Sequence, residues 1–241
     1  MHVRVVLVEP QDAGNVGASA RAMKNFGFTD LWIVGGKQRV DDVSSWWAVG
    51  ANDVVDAATR VATLDEALGD CHLTVATTAV RARQVYEELM PWDVARIAGE
   101  QLNDEHRLAV VFGRERSGLT SNEVALCQRT ATIPTWPEFP TMNLAQSVAV
   151  FCYELGAAER RVAARPRPAS ASREPAPHQL MQSLNVHTRA LLHEVDYFGE
   201  KNPDRLCAEL QAMVGRAGLS MREASLLLSM VRKLARRRSN T

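Results

Sequence analysis

The chain is poor in cysteine: four in 241 residues, Cys71, Cys127, Cys152 and Cys207, with no C-x-x-C pair among them. Neither a zinc site nor a disulfide framework is suggested, and a reduced, cytoplasmic compartment fits that usage. Long apolar runs are missing too. Nothing approaches the length of a membrane span, and the charged start does not lead into a signal-peptide core. Net charge is also absent, since 28 basic side chains balance 28 acidic ones, so composition alone gives no hint of nucleic acid. The distribution does. From Ala224 onward there is no aspartate or glutamate, whereas Arg232, Lys233, Arg236, Arg237 and Arg238 all stand there. A basic patch on a neutral protein is compatible with this, and so is a solubilising terminus.

What is present is 46% hydrophobic residues, enough for a substantial core in one large domain or in one of usual size with a small appendage. Short apolar runs at 3–8, 31–35, 73–77, 108–113 and 131–134 read as strands covered on both faces. Helical patterns fall between them: 17–26, a weaker one from Ser44, 91–101 with Pro91 suitably at a helix start, and 121–127. The alternation predicts a parallel α/β sheet. A longer helix should begin near Asn143, with Leu144, Val148, Phe151, Cys152 and Leu155 on one face. Residues 163–177 hold four prolines and almost nothing to bury, so they read as a linker between a catalytic unit, 1–162, and a helical extension, 178–241. That extension should contain helices at 179–198, 203–217 and 220–237, the last with an apolar stripe of Leu226, Leu227, Met230, Val231 and Leu234. It is small for an independent domain and could bind RNA or dock on a partner chain.

In open α/β sheets, ligands bind outside the carboxyl ends of the strands, and four segments occupy such positions. The first is EPQDAGNVGASARAM, 9–23, where Gly14 and Gly17 permit a tight turn and a helix starting near Gly17 would carry Arg21 one turn in, beside an anion-binding N-terminus. Its spacing is G-x-x-G and not the G-x-G-x-x-G of dinucleotide-binding dehydrogenases. The second is ATTAVRAR, 76–83. The third is VVFGRERSGLT, 110–120, where three charges follow a buried strand and so need partners or a function. The fourth is IPTWPEFPTMNLAQSVAV, 133–150, in which Pro134, Pro137 and Pro140 stiffen the approach to Thr141, Met142 and Asn143. Each also has an ordinary reading: a turn with a solvated arginine, a surface loop, an Arg–Glu network, a helix cap.

Together GNVGASARAMKNFG, FGRERSGLT and PTMNLAQSVAVFCYEL resemble the three motifs of the SpoU branch of the SPOUT RNA methyltransferases, and the TrmJ-type tRNA (cytidine/uridine-2′-O-)-methyltransferases within it. The resemblance covers about two-thirds of the chain. It implies a deep trefoil knot near the end of the catalytic domain, a homodimer sharing its active sites, S-adenosylmethionine as cofactor with no metal, and tRNA as partner. The expected target is nucleotide 32, in the anticodon loop. It also implies roles. Asn15 and Arg21 would be the functional residues of the first motif, Glu115 the acid of the second, and Thr141 and Asn143 those of the third, with Thr141 standing where many relatives have serine. Cofactor contacts would come from Thr77, Thr78 and Ala79, from Gly113 and Ile133, and from Pro140, Thr141 and Met142. RNA contacts would come from Lys24, Arg81, Arg83, Arg114 and Arg116. The chain reads Val80-Arg81-Ala82-Arg83 where relatives often have Arg-x-Arg directly, so either arginine could take that role. The rival expectations are a ribosomal-RNA methyltransferase of the same branch and an RNA-binding protein that has kept the fold without the chemistry.

Overall fold

A computed structural model describes residues 1–36, 47–79, 88–163, 174–199 and 202–238. Seven parallel strands form one sheet: β1 (His2–Val8), β2 (Asp30–Val34), β3 (Thr59–Val61), β4 (Leu73–Thr77), β5 (Glu88–Leu89), β6 (Arg107–Phe112) and β7 (Arg129–Ala131). Their order is β3-β2-β1-β6-β4-β7-β5. β1 therefore lies near the middle, registered on β2 through Arg4–Asp30 to Val8–Val34 and on β6 through His2–Arg107 to Leu7–Phe112. Strands of β-branched residues suit this position because alternate side chains enter the core on opposite faces. Val3, Val5 and Leu7 join one apolar cluster; Val6 and Val8 join the other.

On the first face, helix α1 (Ala13–Asn25) and helix α4 (Pro91–Gln101) both pack on α6 (Leu144–Ala163). The five residues predicted to share a face of α6 are all buried, and Phe151 meets Phe112 edge-on at 5.6 Å between ring centroids. Burying a side chain of this size contributes about 2–3 kcal/mol. The second face is covered by α3 (Leu64–Leu68), with Cys71 and Cys127 buried beside it. Arg4 also points to that side. Its guanidinium is held by Asp30 at 3.0 Å and Asp70 at 2.7 Å and lies 3.9 Å from the Trp32 ring centroid, so the buried charge is paired. The short helices α2 (Asn52–Asp56) and α5 (Ser121–Leu126) complete this part of the chain among the described residues.

Two predicted boundaries are corrected, and two short strands are added. α1 begins at Ala13 and not near Gly17, because the Asp12 side chain accepts from the Gly14 N–H and caps it. β7 runs over Arg129–Ala131 and not 131–134; after Ala131, the Thr132 N–H turns to the Leu89 carbonyl. β3 and β5, of three and two residues, were not anticipated. Residues 44–46 of the weak helical pattern lie outside the described residues.

The helical extension consists of α7 (His178–Glu194), α8 (Pro203–Ala217) and α9 (Met221–Arg238), with α9 packed along α7. Of the expected linker, residues 164–173 are not described, whereas 174–177 belong to the extension: Pro175 bridges to Ser220, and buried Ala176 bonds to Leu219. The extension rests on the catalytic sheet at the amino-terminal ends of β4 and β7. The N–H groups of His178 and Gln179 donate to the carbonyls of Cys71 and Gly69, the Gln182 amide to Leu126, and Arg129 to the Arg216 carbonyl. Buried Ala224 and Leu228, rather than the anticipated stripe, carry the packing of α9; Leu226, Leu227, Met230 and Leu234 remain exposed.

Candidate active site

The strand order sets β1, β6, β4 and β7 side by side, so the loops after their carboxyl ends are neighbours although the sequence scatters them over 130 residues. Three of the predicted residues meet directly. Glu115, in the loop after β6, accepts from the backbone N–H groups of Gln11 at 2.9 Å and Asp12 at 3.2 Å, and from Asn15 Nδ2 at 2.9 Å. Asn15 Oδ1 in turn accepts from Asn143 Nδ2 at 2.9 Å. Asn143 uses its own Oδ1 to cap α6, accepting from the N–H groups of Ala145 and Gln146. Cap and site contact are thus one residue's work. Partial burial disfavours charge on Glu115, but the hydrogen bonds from Asn15, Gln11 and Asp12 prevail and hold its carboxyl below the usual range.

Beside this chain lie the residues expected to hold a cofactor. Thr77 donates its hydroxyl to the Val111 carbonyl at 2.9 Å. The Thr78 N–H bonds to Ala131, and its hydroxyl lies 3.1 Å from that of Thr132, which also donates to the Thr78 carbonyl. Gly113 ends β6 where a Cβ would sit 2.2 Å from the Gly118 backbone, so only glycine lets the turn 113–118 close on itself. Ile133 and Met142 are half-buried, and Ala79, Pro140 and Thr141 are exposed. The Pro140 carbonyl accepts from Thr135, and the Phe139 N–H bonds to the Trp136 carbonyl. That braced turn leaves Trp136 and Phe139 74% and 79% exposed, which no pattern in the sequence signals.

Arg21 stands apart. With the helix starting at Ala13, it falls in the third turn and not one turn in, so it cannot lean over the N-terminus as expected. Six residues beyond Asn15, it is about 9 Å further along the axis and roughly 120° around it. It is exposed and has no hydrogen bond or ion pair among the described residues. Of the expected RNA contacts, Lys24 pairs with Asp53 at 2.7 Å, Arg116 is exposed, and Arg81 and Arg83 lie outside the described residues. Arg114 is turned inward, bonded to Glu9 and to Glu123. Neither glutamate was singled out from the sequence, nor was Thr132. Glu123 was legible as the fourth residue of a T-x-x-E capping box; Glu9 and Thr132 carry no such signal. A cavity of about 260 Å³ lined by Met1, Arg4, Asp30 and Arg107 lies at the opposite edge of the sheet, away from this chemistry.

Motif loops joined at the carboxyl edge of a parallel sheet, with neutral residues alongside a fixed carboxylate, define an α/β protein with its ligand site at that edge. The chain belongs to the SpoU rRNA methylase family, whose profile matches residues 2–153. It is 34% identical over 240 residues to the tRNA (cytidine/uridine-2′-O-)-methyltransferase TrmJ of Yersinia enterocolitica, covering 95% of this chain and 90% of that protein. It is also 34% identical to the tRNA (cytidine/uridine/adenosine-2′-O-)-methyltransferase TrmJ of Pseudomonas aeruginosa, covering 97% and 95%. Among solved structures, TrmJ from Z. mobilis superposes with a TM-score of 0.82 at 27% identity, over 98% of this chain and all of that one. The similarity extends through the helical extension as well as the sheet.

Proposed function

We propose that this chain transfers a methyl group from S-adenosylmethionine to a ribose 2′-hydroxyl of tRNA, at a cytidine or uridine of the anticodon loop, as a cytoplasmic homodimer with a knotted catalytic domain. The observation that carries the reading is the hydrogen-bonded chain Glu115–Asn15–Asn143, which ties the three family motifs into one site. The relatives that match nearly the whole chain are tRNA 2′-O-methyltransferases, which supports the substrate.

The residues proposed to hold the cofactor fit its chemistry. Thr77, Thr78, Ala79, Gly113, Ile133, Pro140, Thr141 and Met142 carry no formal charge. They suit a nucleoside without phosphates, which asks for apolar contact and backbone hydrogen bonds rather than lysines. When bound, the sulfonium supplies a methyl group that is already electrophilic. The protein's part is to align the hydroxyl and to favour loss of its proton, and alignment alone can lower a barrier by roughly 7–11 kcal/mol.

A guanidinium stays protonated, so Arg21 serves as an electrostatic clamp on the phosphate beside the target ribose and on the developing alkoxide, and not as the base. Its distance from Asn15 along α1 suits delivery to the site of a second chain. Glu115, Asn15 and Asn143 hold the loops, and the Thr141 hydroxyl is assigned a contact with the reacting groups. Residues 1–162 form the catalytic domain of this proposal, and 178–241 the extension that adds phosphate contacts. A methyl-transfer assay on unmodified tRNA, with mass-spectrometric mapping, is expected to find one 2′-O-methyl ribose in the anticodon loop. Transfer to ribosomal RNA alone would replace the substrate, and RNA binding without any transfer would refute the reaction.

A further inference from the structure

Arg114 reads from the sequence as a surface cation for RNA, but its side chain is only 15% exposed and its donors are spent inside the protein. Nε donates to Glu9 Oε2 at 2.9 Å, Nη1 and Nη2 to the two oxygens of Glu123 at 3.0 Å each, and Nη1 again to the Gly118 carbonyl at 3.4 Å. These contacts occupy four of the five N–H groups an arginine has. Both acceptors are themselves fixed. Glu123 closes the capping box of α5, accepting from the Thr120 N–H at 2.7 Å. Glu9 follows β1 in a left-handed conformation, φ 44°, with its N–H on the Val34 carbonyl. A non-glycine residue in that region is strained and persists only where its surroundings hold it.

Arg114 and Glu115 are consecutive, and together they grip the loop after β1 at two places. Arg114 takes Glu9; Glu115 takes Gln11, Asp12 and Asn15. A single attachment would let the turn 113–118 pivot. Two attachments of opposite charge fix its orientation as well as its distance, and with it the carboxylate that reaches Asn15.

We propose that Arg114 is a positioning residue: its ion pairs with Glu9 and Glu123 latch the turn 113–118 to the first motif and so aim Glu115 at Asn15. This rests on the methyl-transfer reading for its kinetic consequence, but the latch itself can be read without turnover. The test compares Arg114→Gln, Arg114→Lys and Glu9→Gln in the full-length protein. Expected for Arg114→Gln is a fall in kcat of about 30-fold or more, with the KM for tRNA and the salt dependence of tRNA affinity unchanged. Arg114→Lys, which cannot engage Glu123 through two nitrogens while keeping Glu9, should recover little of it. Combining Arg114→Gln with Glu9→Gln should cost no more than Arg114→Gln alone, because both act through one contact.

Hydrogen exchange at the Gln11 and Asp12 amides should quicken in Arg114→Gln, whatever the substrate proves to be. A raised KM with kcat intact and a salt slope smaller by about 0.9 would make Arg114 a phosphate contact and overturn the latch. Unchanged exchange at those amides would overturn it too. Should Arg114→Gln not fold, Glu9→Gln alone reads the same kinetic split and the same amides. A wild-type protein that methylates no RNA sinks the enzymatic reading, and the exchange result then decides the latch separately.

Discussion

At the scale of single residues, Asn15 does what no other side chain of its size can. It donates to Glu115 and accepts from Asn143 through one carboxamide. Asn15→Asp would set two carboxylates within hydrogen-bonding distance and remove the donor. Methyl transfer is expected to fall about 100-fold, more than in Asn15→Ala, in a single-turnover assay. Arg21→Ala tests a different role. With no partner to lose among the described residues, its melting temperature should stay put and calorimetry should still detect S-adenosylmethionine, while methyl transfer disappears; near-normal turnover would end the clamp assignment. The sequence displayed Asn15, Glu115 and Asn143 as motif members, but the bonds between them span 100 and 128 residues and no periodicity encodes such a meeting. Glu9 and Thr132 escaped notice for a related reason: their partners lie across the sheet.

At the scale of elements, the strands with buried β-branched runs were legible, and their edges were less so. β7 starts two residues before the apolar run at 131–134, because the strand accommodates Arg129, whose guanidinium reaches across to the Arg216 carbonyl of α8. The start of α1 was placed late because Gly14 and Gly17 read as turn residues, yet both are helical, and Gly14 leaves room for Trp47, whose ring atoms lie 3.0 Å from where its Cβ would be. Glycine as a signal of close approach and glycine as a signal of a turn are indistinguishable in one sequence. Gly113 is the stricter case. Gly113→Ala would press a methyl group into the Gly118 and Leu119 backbone, 2.2–2.6 Å away, so β6 must shift or the turn must open. Thermal melts should show a loss of about 3 kcal/mol or more, and calorimetry a loss of methyl-donor binding.

At the scale of the whole molecule, the extension is docked at the end of the sheet opposite the motif loops, and its joint contains His178. That side chain is 2% exposed, and neither ring nitrogen has a hydrogen-bond partner among the described residues. Burial pushes its pKa down to about 4. The unfolded chain, with an ordinary histidine near 6.5, then binds more protons between those two values. Stability contributed by neutral His178 is full above about 6.5 and drains away as pH falls toward 4. Melts taken from pH 7 to pH 5 should record a loss of about 2 kcal/mol that His178→Leu abolishes. A cut after Ala163, where α6 ends, removes the extension without breaking a helix. The shortened chain should keep methyl-donor binding, melt lower through the unpaired carbonyls of Gly69, Cys71 and Leu126, and bind tRNA more weakly with a smaller salt slope.

The span of the Asn143–Asn15 bond also bears on how the protein is born. A ribosome delivers Asn15 and Glu115 well before α6 has emerged, so a growing chain holds two motifs with nothing to close them. Competence for the methyl donor must arrive late and at once, when the third motif docks, and a stalled or truncated nascent chain should be inert rather than half-active.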